Sequence, residues 1–327
     1  MKTELEGLET LIPVSARLRR RVSRLRHITG FVTTFGEDSD PRIGVFARIW
    51  HVARVASVAR FLAEESNGVD PARVGRLAWI HDLNRWPFAH NSERGNFDQS
   101  LNVADYFTRL DVPRQDISDL EGIHRKDLYS LTPEGRVVLF ADALTGIVED
   151  LLMAVTGLNV HPRLIPAEVD ALLGFSLKQD PWLSRCHALA DCFHRSLSPD
   201  VEYFQEAMGD LFEQLITMFV SRHKVHDVEH DYPVVYNIAY TVKETFTRRV
   251  IFPINNERVC HSSWLRESVF PWYFRTAGGD VGHLLEIDEP QFVQAVTTMP
   301  GSPFTPDEFI PDIDIVKREI PQLAFVN

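Results

Sequence analysis

Two histidines and two aspartates in apolar, helix-patterned stretches, His51, His81, Asp82 and Asp142, are the residues here best suited to hold a metal. Imidazole nitrogen and carboxylate oxygen together suit divalent Mn, Fe, Co, Ni, Zn or Mg. Four protein ligands on an octahedral ion leave about two positions for water or a substrate oxygen, as a catalytic site requires. Arg48, one helical turn before His51, points to the same side and can clamp phosphoryl oxygens. His90 titrates near neutrality in its unperturbed form and can serve as general acid or base, with Glu93 one turn on to orient it. Arg85, between the His-Asp pair and His90, extends the positive surround. These are the parts that hydrolysis of a phosphate ester needs: a positioned water, neutralised phosphoryl oxygens and a stabilised leaving group.

The elements that must position them are helices. From Gly44 to Ser66 the residues Val45, Phe46, Ile49, Val52, Val55, Val58, Ala59 and Leu62 form an apolar stripe, with His51 close to it. Asp70 followed by Pro71 predicts a capped helix start, and the helix ends before Pro87, so His81-Asp82 falls at its C-terminal end. Thr132-Pro133 opens a helix to about Gly157 with Asp142 in its first half. Thr145 and Gly146 share the face of Asp142, and the glycine leaves open space beside it. Glu149 and Asp150 are expected as acceptors for metal-bound histidines. Ser198-Pro199-Asp200 opens a helix to about Arg222, and further helices are expected over Tyr236–Val250 and Trp264–Arg275. The aromatics of that last segment read as buried packing rather than a base-stacking surface. No alternating strand pattern persists, and the fold class is all-α. The expected organisation is a catalytic core over residues 1–160 and a helical C-terminal region over 161–327, with an irregular tail from about 299.

Composition narrows the class. The 327 residues carry a formal net charge of −12, which disfavours non-specific nucleic-acid binding. Residues 1–60 nevertheless hold 11 Lys/Arg against 6 Asp/Glu, a local positive field leading into His51. Three cysteines without metal-type spacing argue for a reducing compartment. The acidic N-terminus does not read as a secretory signal, and the apolar run from Val137 to Val160 contains Asp142, Glu149 and Asp150, which disfavours a membrane span. A cytoplasmic protein is expected.

Four blocks in order resemble the HD-domain metal-dependent phosphohydrolases, most closely the branch of deoxyguanosine triphosphate triphosphohydrolases. They are SRLRHITGFVTT (23–34), ARIWHVARVASVAR (47–60), HDLNRWPFAHNSE (81–93) and ADALTGIVED (141–150). The resemblance implies an HD-type helical bundle with a C-terminal helical extension. It implies metal ligation by His51, His81, Asp82 and Asp142, and a catalytic role for His90 with Glu93. It further implies phosphate contacts from Arg48 and from Arg24 or Arg26. Three departures stand out. Asn84-Arg85 replaces the family's Gly-His, Asp98 stands in a segment where the family has a catalytic histidine, and Thr145-Gly146 replaces its sugar-side tyrosine. His124 and Lys126, in LEGIHRKD, are further substrate-side candidates; in several branches extra histidines in this region hold a second metal.

The expected partner is a nucleotide or other phosphorylated small molecule, with no membrane or specific nucleic-acid partner, and the family suggests a homo-oligomer. The expected function is that of a nucleotide hydrolase, either a triphosphohydrolase or a phosphatase. Two alternatives from other classes are a di-iron HD-fold oxygenase and a non-catalytic nucleotide-sensing HD protein. The lost histidines favour the latter, and the four intact ligands favour hydrolysis.

Overall fold

The computed structural model describes residues 16–28, 47–64, 66–93, 95–156, 161–195, 201–224, 227–242, 244–245, 263–278 and 281–309. Among them the regular elements are helices and no strand occurs, so the protein is all-α as the periodicity predicts. No helix among them is long and apolar enough to cross a membrane.

The chain divides into two compact units. The larger joins residues 2–138 to 257–311; the middle unit takes 139–256, with 1 and 312–327. A C-terminal segment joins the N-terminal part in the larger unit, and the boundary falls inside one continuous helix.

In the larger unit, α1 (Ala16–Arg24) is followed by α2 (Arg48–Glu64), which begins later than the stripe predicts; Gly44–Phe46 lie outside the described residues. Next comes α3 (Pro71–Ile80), whose start is as the sequence indicates: the Asp70 carboxylate accepts from the Ala72 N–H (3.0 Å). The helix stops at His81, its C-cap. Two short helices, α4 (His90–Glu93) and α5 (Val103–Thr108), lead to α6 (Arg114–Arg125), which ends where Lys126 turns left-handed. Then α7 (Pro133–Thr156) begins in the larger unit and continues into the middle one.

The middle unit continues with α8 (Ala167–Leu173), α9 (Trp182–Arg195), α10 (Val201–His223) and α11 (Val228–Val242). It is cored by residues such as Val169, Leu189, Leu211, Leu215 and Phe219. Helix α11 starts well before Tyr236, and the Ser198-Pro199-Asp200 start signal lies outside the described residues. The larger unit resumes with a π-turn (Leu265–Val269) running into α12 (Phe270–Ala277), then α13 (Val281–Leu284) and α14 (Glu289–Thr298). The aromatic segment packs as expected: Phe270 is buried and stacks on Trp86 (5.5 Å) and Phe292 (4.6 Å).

The larger unit is tied together by Arg73 of α3. Its Nε–H donates to Asp116 (2.9 Å) and its terminal nitrogens reach Asp119, Thr132 (2.8 Å) and Glu134 (2.7 Å). Arg76 adds a second guanidinium on Asp116 (2.7 Å), and the Thr132 N–H and hydroxyl both donate to Asp119 (2.9 and 2.7 Å). Gly135 lets α7 approach this cluster, since a Cβ there would sit 2.6 Å from the Asp119 carboxylate.

Removing one cation from such a buried cluster leaves carboxylates without compensation, at a cost of about 3–5 kcal/mol. Arg73→Met is therefore expected to lower the urea-unfolding free energy by that amount. Burial alone would raise the Glu134 carboxyl, but main-chain N–H groups, Thr132 and Arg73 bring it below the ordinary range. A depressed carboxylate stabilises above its unfolded pKa of about 4.3 and loses that contribution as pH falls through the folded value. Unfolding measured from pH 5 to 3 should show this acid loss in the wild type and a smaller one in Arg73→Met.

Candidate metal centre

His51 lies in α2 and His81 caps α3; both are buried, with ring centroids 5.9 Å apart. The ring of His81 is fixed by its own helix: Nδ1 lies 2.6 Å from the Ala78 carbonyl. A carbonyl only accepts, so Nδ1 carries the proton and Nε2 presents its lone pair, the tautomer a metal-binding histidine needs. Asp142, half-buried, rides on α7 two turns beyond Glu134. One ligand atom from each of His51, His81 and Asp142 lies within 4.8 Å of the others, close enough for one ion. The donor set fits a divalent cation, with two imidazoles and one carboxylate. Further along α7, Thr145 is fully buried, and the space where a Gly146 side chain would lie is open, as expected beside Asp142.

Asp82 is placed differently from the sequence expectation, outside this group of three. Its Oδ2 pairs with the Nε of Arg48, and its Oδ1 accepts from Arg85 Nε–H (2.8 Å) and Gln99 Nε2–H (3.2 Å). Burial alone would raise this carboxyl, but Arg48 and Arg85, and to a smaller extent His81 and His51, hold it well below the usual carboxylate range. Gln99 also exchanges hydrogen bonds with Asn84, giving to its Oδ1 (2.7 Å) while its carbonyl accepts from Nδ2 (3.0 Å). Gln99 was not identifiable as a site residue from residue type alone; contact with Asp82 reveals it, and Asn84 joins through Gln99.

Arg85 links Asp82 to the next pair. Its NH1 donates to Glu93 Oε2 (2.8 Å) and to His90 Nδ1 (3.2 Å). Arginine only donates, so His90 Nδ1 accepts and its proton sits on Nε2, on a side chain 55% exposed. Glu93 Oε2 stands 3.7 Å from His90 Nδ1 and meets the ring through Arg85, while its other oxygen accepts from the Trp86 N–H (2.9 Å).

The loop joining His81 to His90 is strained and braced. Phe88 and Ala89 both have left-handed backbone (φ 67° and 40°), costly for residues with a Cβ. The Phe88 N–H is held by buried Glu289 (3.0 Å) at the start of α14, and the Ala89 N–H by the Trp86 carbonyl (2.9 Å). Trp86 is stacked between Phe97 (4.6 Å) and Phe270 (5.5 Å), and Phe88 lies edge-on to Phe292.

Two sequence expectations are corrected here. Arg24, expected on phosphate, is buried, and its terminal nitrogens donate to the carbonyls of Leu83 (3.0 Å), Arg85 (2.7 Å), Leu284 (3.4 Å) and Ile287. It braces the same loop from beneath. Asp98, expected to replace a catalytic histidine, is exposed and caps a 3-10 turn by accepting from the Ser100 N–H (2.9 Å) and hydroxyl (2.7 Å). Lys126 is exposed at the left-handed end of α6.

His124 near that end has a buried Nε2 with no hydrogen-bond partner among the described residues. Burial pushes its pKa down to about 3; Asp82 opposes this, while Arg85, His81 and Lys126 add to it. It is therefore a neutral imidazole facing the Asp82–Arg85 pair. A scan of protein-family models finds no match to this chain, and a search of curated proteins finds none either.

A histidine whose folded pKa lies below its unfolded value of about 6.5 binds its proton more readily when unfolded, so stability falls as pH drops through that value. The slope approaches about 1.4 kcal/mol per pH unit for one proton. In metal-free protein, the unfolding free energy between pH 6.5 and 4.5 should decline less steeply in His124→Gln than in the wild type.

Proposed function

We propose that this protein is a metal-dependent phosphohydrolase of the HD type acting on a nucleotide, either as a triphosphohydrolase or as a phosphatase. The observation that carries this reading is the convergence of His51, His81 and Asp142 on one point, within reach of a divalent ion. The two arginines on Asp82 beside it support an anionic substrate.

His51, His81 and Asp142 would hold a divalent ion, which would supply positive charge for phosphoryl oxygens and acidify a water molecule. The chain's own residues do the rest. Arg48 and Arg85 offer guanidinium groups of fixed planar geometry to phosphate oxygens. His90 presents Nε2–H outward, where it can protonate a leaving oxygen, and Arg85, anchored on Glu93, donates to its Nδ1 and holds the ring. Glu289 and Arg24 keep the loop that carries Arg85 and His90 in place.

A second reading, a nucleotide-binding HD protein without turnover, is favoured by one observation: Asp98 caps a turn at the surface rather than serving as a catalytic group. Nucleoside mono-, di- and triphosphates screened with Mn, Mg, Co and Ni, with anion-exchange separation of orthophosphate from tripolyphosphate, distinguish the readings. Turnover is expected. His81→Ala and Asp142→Ala should each lower it more than about a hundredfold and reduce bound metal in parallel, a larger effect than is typical of outer-shell partners. Full activity in either variant refutes the site. Thermal stabilisation by nucleotide with no product in any combination supports the second reading instead.

A further inference from the structure

Two histidines of the middle unit that the proposed chemistry does not use, His161 and His187, meet ring to ring, with centroids 5.1 Å apart and planes at 61°. His161 stands five residues beyond the end of α7 and is the N-cap of a 3-10 turn, Pro162–Leu164, that leads into α8. His187 is exposed on α9. An N-cap acceptor is usually the oxygen of Ser, Thr, Asp or Asn. Here an imidazole takes that place, with the Arg163 N–H donating to His161 Nδ1 (3.1 Å). A backbone N–H only donates, so Nδ1 keeps its lone pair and the neutral ring carries its proton on Nε2. Behind the cap, the Leu164 and Ile165 N–H groups donate to the carbonyls of His161 (2.9 Å) and Pro162 (3.0 Å), and Pro162 and Ile165 are buried.

The surroundings of His161 all oppose a charge on it. Partial burial comes first, then the facing His187, then the Arg163 guanidinium, and together they bring its pKa below the ordinary imidazole value. No carboxylate among the described residues offsets them.

We propose that His161 and His187 form an acid-released clamp, which holds the Pro162–Ile165 turn to α9 while the rings are neutral and lets it go when His161 takes a proton. A proton on Nδ1 removes the acceptor of the Arg163 N–H and sets two donors against each other. It also places a cation beside Arg163 and the His187 ring, where a second proton only adds repulsion. The open turn binds the proton more readily than the closed one. The clamp is therefore complete above the unfolded imidazole pKa of about 6.5 and weakens as pH falls below it. The segment it releases lies between α7, which carries Asp142, and α8.

The clamp is tested on the full chain by NMR of 15N-labelled imidazoles and by amide hydrogen exchange, each from about pH 7.5 to 5. At the upper end His161 should show a bare Nδ1 and a protonated Nε2, and it should titrate below the unfolded value. Loss of a cap changes a local opening equilibrium about fivefold, so exchange protection over residues 163–169, corrected for intrinsic rates, should fall by about that factor with acid. His161→Asn keeps an acceptor for the Arg163 N–H at every pH and should hold its protection within about twofold. In His187→Gln, His161 should titrate nearer the unfolded value and the acid loss of protection should shrink. A protonated Nδ1 at neutral pH overturns the clamp, as does titration of His161 at or above the unfolded value. Protection that acid leaves unchanged in the wild type also overturns it. Equal acid loss in His161→Asn has the same force, since the proton then acts elsewhere, and so does a His161 titration that His187→Gln leaves unmoved.

Discussion

The guanidinium of Arg73 is the point from which the candidate site is built. Its partners lie near the beginnings of the helices that carry candidate ligands or their neighbours. Arg73 itself precedes His81 by eight residues on α3, Asp116 precedes His124 by eight on α6, and Glu134 precedes Asp142 by eight on α7. Eight helical residues rise about 12 Å. A cluster that joins three helices at one level therefore sets their register against one another within the larger unit. The desolvation cost of such a buried ionic knot is large, and hydrophobic residues could pack the same space at no loss of stability. What apolar packing does not supply is direction: each of the donors on Arg73 accepts only one approach, so the helices cannot slide or rotate freely.

The loop from Leu83 to His90 is held by a second set of constraints, drawn from distant parts of the chain. Arg24 takes its carbonyls, Glu289 takes one of its N–H groups, and Phe270 and Phe292 close over Trp86 and Phe88. Two consecutive residues with left-handed backbone are tolerated there because nearly every polar group of the turn has a partner and both side chains are fully buried. The loop is thereby able to present Arg85 and His90 on one side while its backbone faces the core. This explains why residues near 290, far along the chain and without any catalytic chemistry of their own, belong to the same unit as the His-Asp pair.

How much of this was legible depended on whether the signal was local. Asp70-Pro71 and Thr132-Pro133 announce helix starts through backbone chemistry that needs no tertiary partner, and both starts are where the sequence places them. Residue type, spacing and matching flanking blocks singled out His51, His81, Asp82 and Asp142, and the fold brings one atom from each of His51, His81 and Asp142 within 4.8 Å of the others. The start of α14 was equally local, an Asp288–Gln291 capping box with Pro290 in the first turn, yet the weaker apolar pattern after 230 obscured it. Arg24 and Asp98 were misread for a common reason. A charged residue next to a motif has the same appearance whether it meets a ligand or the protein's own backbone, and only the fold decides which. The knot at Arg73 was illegible for the converse reason, since its members are scattered over 61 residues and carry no motif.

The arrangement around Asp82 shows how neighbours in the chain set the surroundings of a buried carboxylate. Asn84 and Arg85, just after the His-Asp pair, set an amide beside Gln99 and a cation beside the Asp82 carboxylate. An arginine in that position offers no lone pair to a metal, but it neutralises Asp82 and ties it to Glu93 and His90 in one chain of hydrogen bonds. The carboxylate's charge is then shared between two guanidiniums, and any ion entering beside it meets a weaker field than a bare aspartate would exert.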